Sequence, residues 1–133
     1  MKKTFLRVLR TPEFERDLKK LSDRFPTLEE DLEILIKAQL ELYHYLHVDN
    51  HGIVVMSGIQ VGNPILCKVK KFACRSLPGH GAKSGLRLVY AFWEKEDRVD
   101  LIELYFKADQ EMEDRQRIKR YLSRSQRPES TRK

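Results

Sequence analysis

The sequence predicts one α+β domain, with an N-terminal strand and an α-helical hairpin packed on a small antiparallel sheet and closed by a C-terminal helix. Three observations predict it. Apolar residues recur at helical spacing through the first third, residues 67–107 hold three alternating stretches joined by short connections, and 133 residues give room for one core but not two. With 41% hydrophobic and 35% charged residues, the chain carries enough Leu, Ile, Val, Phe and Tyr to fold, which excludes a disordered polymer.

The elements follow in order. Lys3 to Leu9 is read as a short strand, after which Thr11 and Pro12 supply an N-cap and a proline at the first helical position. Phe14, Leu18 and Leu21 mark the buried face of a first helix, and Pro26 ends it. Thr27-Leu28-Glu29-Glu30 then reads as a capping box for a second, longer helix with Leu28, Leu32, Leu35, Ile36, Leu42, Tyr43 and Leu46 along its apolar stripe. From His47 to Leu66 the pattern dissolves into glycines, a proline and short β-branched pieces, read as an extra hairpin or an ordered loop. Strands are expected over Cys67 to Cys74, Gly85 to Glu94 and Arg98 to Lys107, antiparallel because "SLPGHGAKS" and "KED" are short connections. After Asp109 a last helix runs from acidic Glu111, Glu113 and Asp114 to basic Arg117, Lys119 and Arg120, the order a helix dipole favours. The domain is thus placed at residues 1–122, and 123–133 is read as a basic disordered tail.

The formal charge of +6 favours a polyanionic partner, although an acidic protein surface fits it as well. Met1-Lys2-Lys3 is not followed by the apolar core of a signal peptide, and no run approaches the roughly 20 apolar residues of a membrane span. A cytoplasmic protein with no membrane partner is the expectation. Cys67 and Cys74, on one strand, would lie about 23 Å apart on opposite faces and could not pair with each other.

The stretch "CKVKKFACRS" carries the functional question. Alternation puts Lys68, Lys70 and Phe72 on one face of their strand, and Val69, Lys71 and Ala73 on the other. On the next strand Leu86, Leu88, Tyr90 and Phe92 oppose Arg87, Val89 and Ala91, and on the last Ile102, Leu104 and Phe106 oppose Glu103, Tyr105 and Lys107. With the hairpin covering the apolar faces, Lys68, Lys70, Arg87, Tyr105 and Lys107 share a concave cationic site. The competing reading is a solvated sheet face whose lysines merely discourage edge-to-edge association.

The same stretch, followed by "SGLRLVYAFWEKEDRVDLIELYFKADQEMEDRQRIKRYL" and preceded by "FERDLKKLSDRFPTLEEDLE", resembles the RelE/ParE superfamily of bacterial toxins. The likeness spans most of the chain apart from the family-atypical insert at 47–66 and the tail. It implies a RelE-like fold, and one of two activities: ribosome-dependent mRNA cleavage by RelE-like members, or poisoning of DNA gyrase by ParE-like members. A cognate antitoxin is implied as partner in both cases, with mRNA and the ribosome as further partners in the first. Lys68 and Lys70 match the family's paired strand lysines, and Arg87 in "GLRLVY" matches its phosphate-contacting arginine. The arginine some members carry after the last strand falls near Ala108, and the tyrosine of their final helix falls near Asp114, so Tyr105 and Lys107 are taken as substitutes. An inactive relative that only binds nucleic acid or protein is the remaining alternative.

Cleavage of RNA through its 2′-hydroxyl needs a base, cations around the developing charge and an acid for the leaving oxygen, but no metal or cofactor. Clustered lysines disfavour one another's charge, which nominates one of Lys68 and Lys70 as base. Arg87 offers a planar fork to phosphate, Tyr105 a stacking or orienting ring, and Lys107 an acid. Lys71, Arg75 and Lys83 are the further candidate RNA contacts, and His80 is a remote candidate for proton transfer. His44, His47 and His51 have a loose metal-like spacing that no cysteine or acidic signature completes. "GHGAKSG" is no dinucleotide fingerprint, because its third glycine comes one position late and it joins two strands.

Overall fold

A computed structural model describes residues 4–58, 63–77 and 84–125. Strands β1 (Arg7–Arg10), β2 (Ile53–Val55), β3 (Ile65–Val69), β4 (Leu86–Trp93) and β5 (Arg98–Phe106) form one sheet in the order β1-β5-β4-β3-β2. Helices are α1 (Pro12–Ser22), α2 (Leu28–Leu35), α3 (Glu41–Tyr45) and α4 (Arg115–Ser125), with a π-helical turn at Ile36–Leu40 between α2 and α3. The α+β class is as expected, but the sheet is mixed. β1 runs parallel to β5, Arg7 opposite Arg98 and Arg10 opposite Leu101, while the other pairs are antiparallel. The reason is connectivity: β1 feeds a helix, not a tight turn, so its chain can return beside it only after a long crossover.

Local chemistry explains the helices. The Thr11 hydroxyl accepts from the Phe14 N–H at 3.2 Å and Pro12 opens α1, which buries Phe14, Leu18 and Leu21. The expected capping box at Thr27 does not form. Its hydroxyl instead donates to Asp31 at 2.7 Å and accepts from the Ser76 N–H at 3.0 Å, knotting the start of α2 to the segment after β3. Leu28, Leu32 and Leu35 face the core as expected, but Leu42 and Leu46 are exposed and Leu40 is buried. The extra residue of the π turn rotates the remaining helix, so the stripe resumes one position late.

The segment read as hairpin or loop holds β2, an edge strand paired with β3 through Ile53 opposite Val69. β3 begins at Ile65, within that segment, and ends at Val69, well short of Cys74. After Val69 the chain leaves the strand, and Phe72 and Cys74 turn into the core beneath the helical hairpin. Phe72 therefore does not share a face with Lys68, and Cys67 and Cys74 sit in the same core cluster, both buried as free thiols, not on opposite faces. Burial pushes the Cys67 thiol up to about 11.

Two cores flank the sheet. One joins the hairpin to Val69, Leu86, Leu88, Tyr90, Phe92, Leu101 and Leu104. The other lies on the opposite face, where Met56, Leu66, Val89, Ala91, Trp93 and Tyr105 pack against Ile118, Tyr121 and Leu122 of α4. A β-bulge helps build it: Val89 faces Glu103 and Tyr90 faces Leu101, leaving Ile102 over, and Ile102 joins this second core, not the first. The face expected to be open or merely solvated is thus largely covered by α4. That helix starts at Arg115, later than Glu111, because the Asp114 carboxylate caps it by accepting from the Arg117 N–H at 3.1 Å.

Candidate functional site

What α4 leaves uncovered is the end of the sheet where β3 and β5 finish and β4 begins. Lys68 on β3 lies opposite Val89, and Arg87 on β4 lies opposite Tyr105 on β5. Close by, Gly85 has φ +91°, and a Cβ there would stand 3.2 Å from the Phe106 ring, so the tight entry into β4 requires glycine. The Gly85 carbonyl accepts from the Lys107 N–H at 2.8 Å, which brings the exposed Lys107 to the same end.

The polar side chains here converge on Glu113, in the turn before α4. Lys68 Nζ donates to Glu113 Oε1 at 2.8 Å, and Arg115 Nε lies 3.4 Å from Oε2. The Glu113 side chain is only 2% exposed, whereas its partner Lys68 is 24% exposed and so reaches solvent. Burial pushes the Glu113 carboxyl up, but the Lys68 hydrogen bond, a hydrogen bond from its own backbone and the two cations outweigh this and hold it below its usual range. Tyr105 is buried beside the same carboxylate. Burial first, then the charges of Glu113 and Glu103, push the Tyr105 phenol up to about 12, Arg87 opposing. Arg87 donates to the Lys70 carbonyl at 3.1 Å and the Leu86 carbonyl at 3.2 Å, so its guanidinium sits against the backbone of exposed Lys70.

Glu103, 1% exposed, fixes the turn that carries Glu113. Its carboxylate accepts from the Asp114 N–H at 2.8 Å and from Gln110 Nε2 at 2.6 Å. Burial raises the Glu103 carboxyl, with those two donors and Arg117 working the other way. Arg117 in turn bridges Asp17 of α1 at 2.6 Å and the Ile102 carbonyl at 3.0 Å.

Of the residues expected at the site, Lys68, Lys70, Arg87, Tyr105 and Lys107 therefore come to one end of the sheet. Lys71 and Arg75 do not. Lys71 Nζ donates to the Asn50 carbonyl at 2.7 Å, and both residues line a cavity of about 380 Å³ beside α2 with Asp31 and Gln39. Arg75 is engaged by Asp31 at 2.7 Å and Glu30 at 2.8 Å. The chain's departure from the strand after Val69 carries them off. Lys83 and His80 lie outside the described residues. The idea of a free lysine base also needs correction at Lys68, whose ammonium donates to a carboxylate instead of facing another cation. Sequence reasoning missed Glu113, Arg115 and Glu103. The acidic residues of 111–114 read as a helix start, although the alternation that puts Tyr105 on this face puts Glu103 there too.

Among the described residues no group of three His, Cys, Asp or Glu is arranged to hold a metal ion. His44 is half-buried against the core, 2.7 Å from the Tyr90 hydroxyl and 4.2 Å between ring centroids from Phe92, and burial, with a lesser contribution from His47, pushes it down to about 4. No described helix is long and apolar enough to cross a membrane. The geometry thus offers several hydrogen-bond donors and cations around one covered carboxylate, a combination suited to a phosphate ester and to proton transfer beside it. No family model, curated protein or solved structure matches the chain.

Proposed function

We propose that the chain is a RelE-like toxin, a cytoplasmic, metal-independent endoribonuclease that cuts mRNA at the ribosome and is neutralised by a cognate antitoxin. The observation that carries this reading is the gathering of Lys68, Arg87 and Tyr105 from three adjacent strands, with exposed Lys70 and Lys107 at the same end of the sheet. Arg87 and Lys70 supply charge to the phosphate, Lys107 attracts the backbone, and Lys68 donates from the centre of the site. The resemblance of "CKVKKFACRS" and "SGLRLVY" to the RelE/ParE superfamily supports the same reading, and with it a RelE-like fold.

Induction of the protein alone should arrest growth with early loss of translation and fragmented mRNA. Purified protein should cut mRNA on programmed ribosomes and leave a 2′,3′-cyclic phosphate and a 5′-hydroxyl. Failure of DNA synthesis first, with mRNA intact, would give the gyrase-poisoning alternative instead.

A further inference from the structure

We infer that Glu113 is the proton acceptor of this site, paired with Lys68 until a phosphate of bound RNA draws the ammonium away. The inference rests on the ribonuclease reading above and adds the base that reading lacks. The other groups at this end of the sheet are cations or are already committed: exposed Lys70 and Lys107 are assigned above to the phosphate and the RNA backbone. Arg87 has no acceptor. Tyr105 is buried and its phenol is pushed up to about 12, Lys68 donates to a carboxylate, and Glu103 is occupied by Asp114 and Gln110. Glu113 alone among these is an acceptor whose principal donor is a partly exposed lysine, free to exchange one anion for another.

The charged and titratable groups facing Glu113 are Lys68 from β3, Tyr105 from β5 and Arg115 beside it, while Arg87 from β4 and Glu103 from β5 act on Tyr105. When a phosphodiester takes Lys68, Arg115 still faces the carboxylate, 3.4 Å from Oε2. Losing one cation also makes that carboxylate a stronger base, at the moment when RNA is present. The 2′-oxygen then bonds to phosphorus and its proton passes to Glu113. The bond from phosphorus to the 5′-oxygen breaks, and Lys68, now at the phosphate, protonates the departing oxygen. Protonated Glu113 and neutral Lys68 restore the starting pair by passing one proton across the 2.8 Å contact they make in the free protein. No further reactant is consumed.

The test is single-turnover cleavage of mRNA on programmed ribosomes over a range of pH, with ribosome co-sedimentation and thermal melts of each protein. Glu113→Gln should bind ribosomes as the wild type does and cut about 10²–10⁴-fold more slowly. The wild-type rate should fall at acid pH along the titration of one carboxylate, and this limb should vanish in Glu113→Gln. Added formate should restore cutting to Glu113→Ala, whose truncated side chain leaves space beside Lys68, and should do nothing for the wild type. Cutting by Glu113→Gln within about threefold of wild type, with the acid limb kept, would overturn the inference and leave the ribonuclease reading standing. If either variant melts below the assay temperature, the wild-type profile decides, and a flat acid side overturns the inference. A wild-type protein that binds ribosomes but cuts nothing overturns the ribonuclease reading itself.

Discussion

Lys68 shows how one contact changes what a substitution means. As an isolated lysine on a sheet face it would be replaceable at little cost, which is what alternation alone suggests. Paired with a carboxylate that is 2% exposed, it is not. Lys68→Ala should lower stability by about 1–3 kcal/mol, the cost of leaving a buried acceptor poorly satisfied, in addition to slowing cleavage. Lys70→Ala, at an exposed position, should move stability by only about 0.5 kcal/mol. Arg87→Ala should slow cleavage by about 10²–10³-fold, as expected for a lost charge-stabilising donor. Chemical denaturation alongside the ribosome assay separates the two effects. Lys71→Ala, on the far side beside Asn50, should leave cleavage nearly intact. Lys68, Arg87 and Tyr105 were legible because period-two alternation holds wherever the ladder is regular. Lys71 and Arg75 were not, because nothing in "KKFACRS" announces that the strand ends at Val69.

At the scale of elements, α4 decides what the second sheet face can do. It docks through Ile118, Tyr121 and Leu122, and a polar tie reinforces it: Trp93 Nε1 donates to the Tyr121 hydroxyl at 2.8 Å and to Asp100 at 3.2 Å, while Tyr121 donates to Asp100. Ile118→Ala should cost about 2–5 kcal/mol in denaturant unfolding, since its side chain is fully buried. Tyr121→Phe, which keeps the ring but removes the hydroxyl, should cost about 1–3 kcal/mol. The existence of α1, α2, β4 and β5 was legible from periodicity, as was a final helix. Its start was not, because the acidic residues at 111–114 suit a first turn equally well as a preceding turn. The π turn left no readable mark, since a shift of one residue in a leucine-rich stripe still finds a leucine.

For the whole molecule, the sheet is a middle layer between the hairpin and α4, so both faces contribute to its stability. The aromatic packing of the hairpin side also makes stability depend on pH. His44 is pushed down to about 4 from the ordinary 6.5, first by burial. The unfolded chain takes up a proton below pH 6.5 that the native protein refuses until about 4. Its contribution is therefore full above 6.5 and declines between these values by up to about 1.4 kcal/mol per pH unit. Replacing His44 with Gln should flatten that part of the stability profile in denaturant titrations. The α+β class was legible from composition and pattern. The parallel pairing of β1 was not, because sequence patterns describe each strand alone and not the neighbour it finds across the chain.

That pairing sets an order of events during synthesis. β1 is made first, but its only strand partner among the described residues is β5, the last strand. A ribosome adding about 5–20 residues per second supplies that partner on the order of seconds later. Until then the hairpin can form from local contacts while β1 waits unpaired. Lys68 and Arg87 emerge before Tyr105 and Glu113, so the groups around the carboxylate meet only as the nascent chain nears the end of α4.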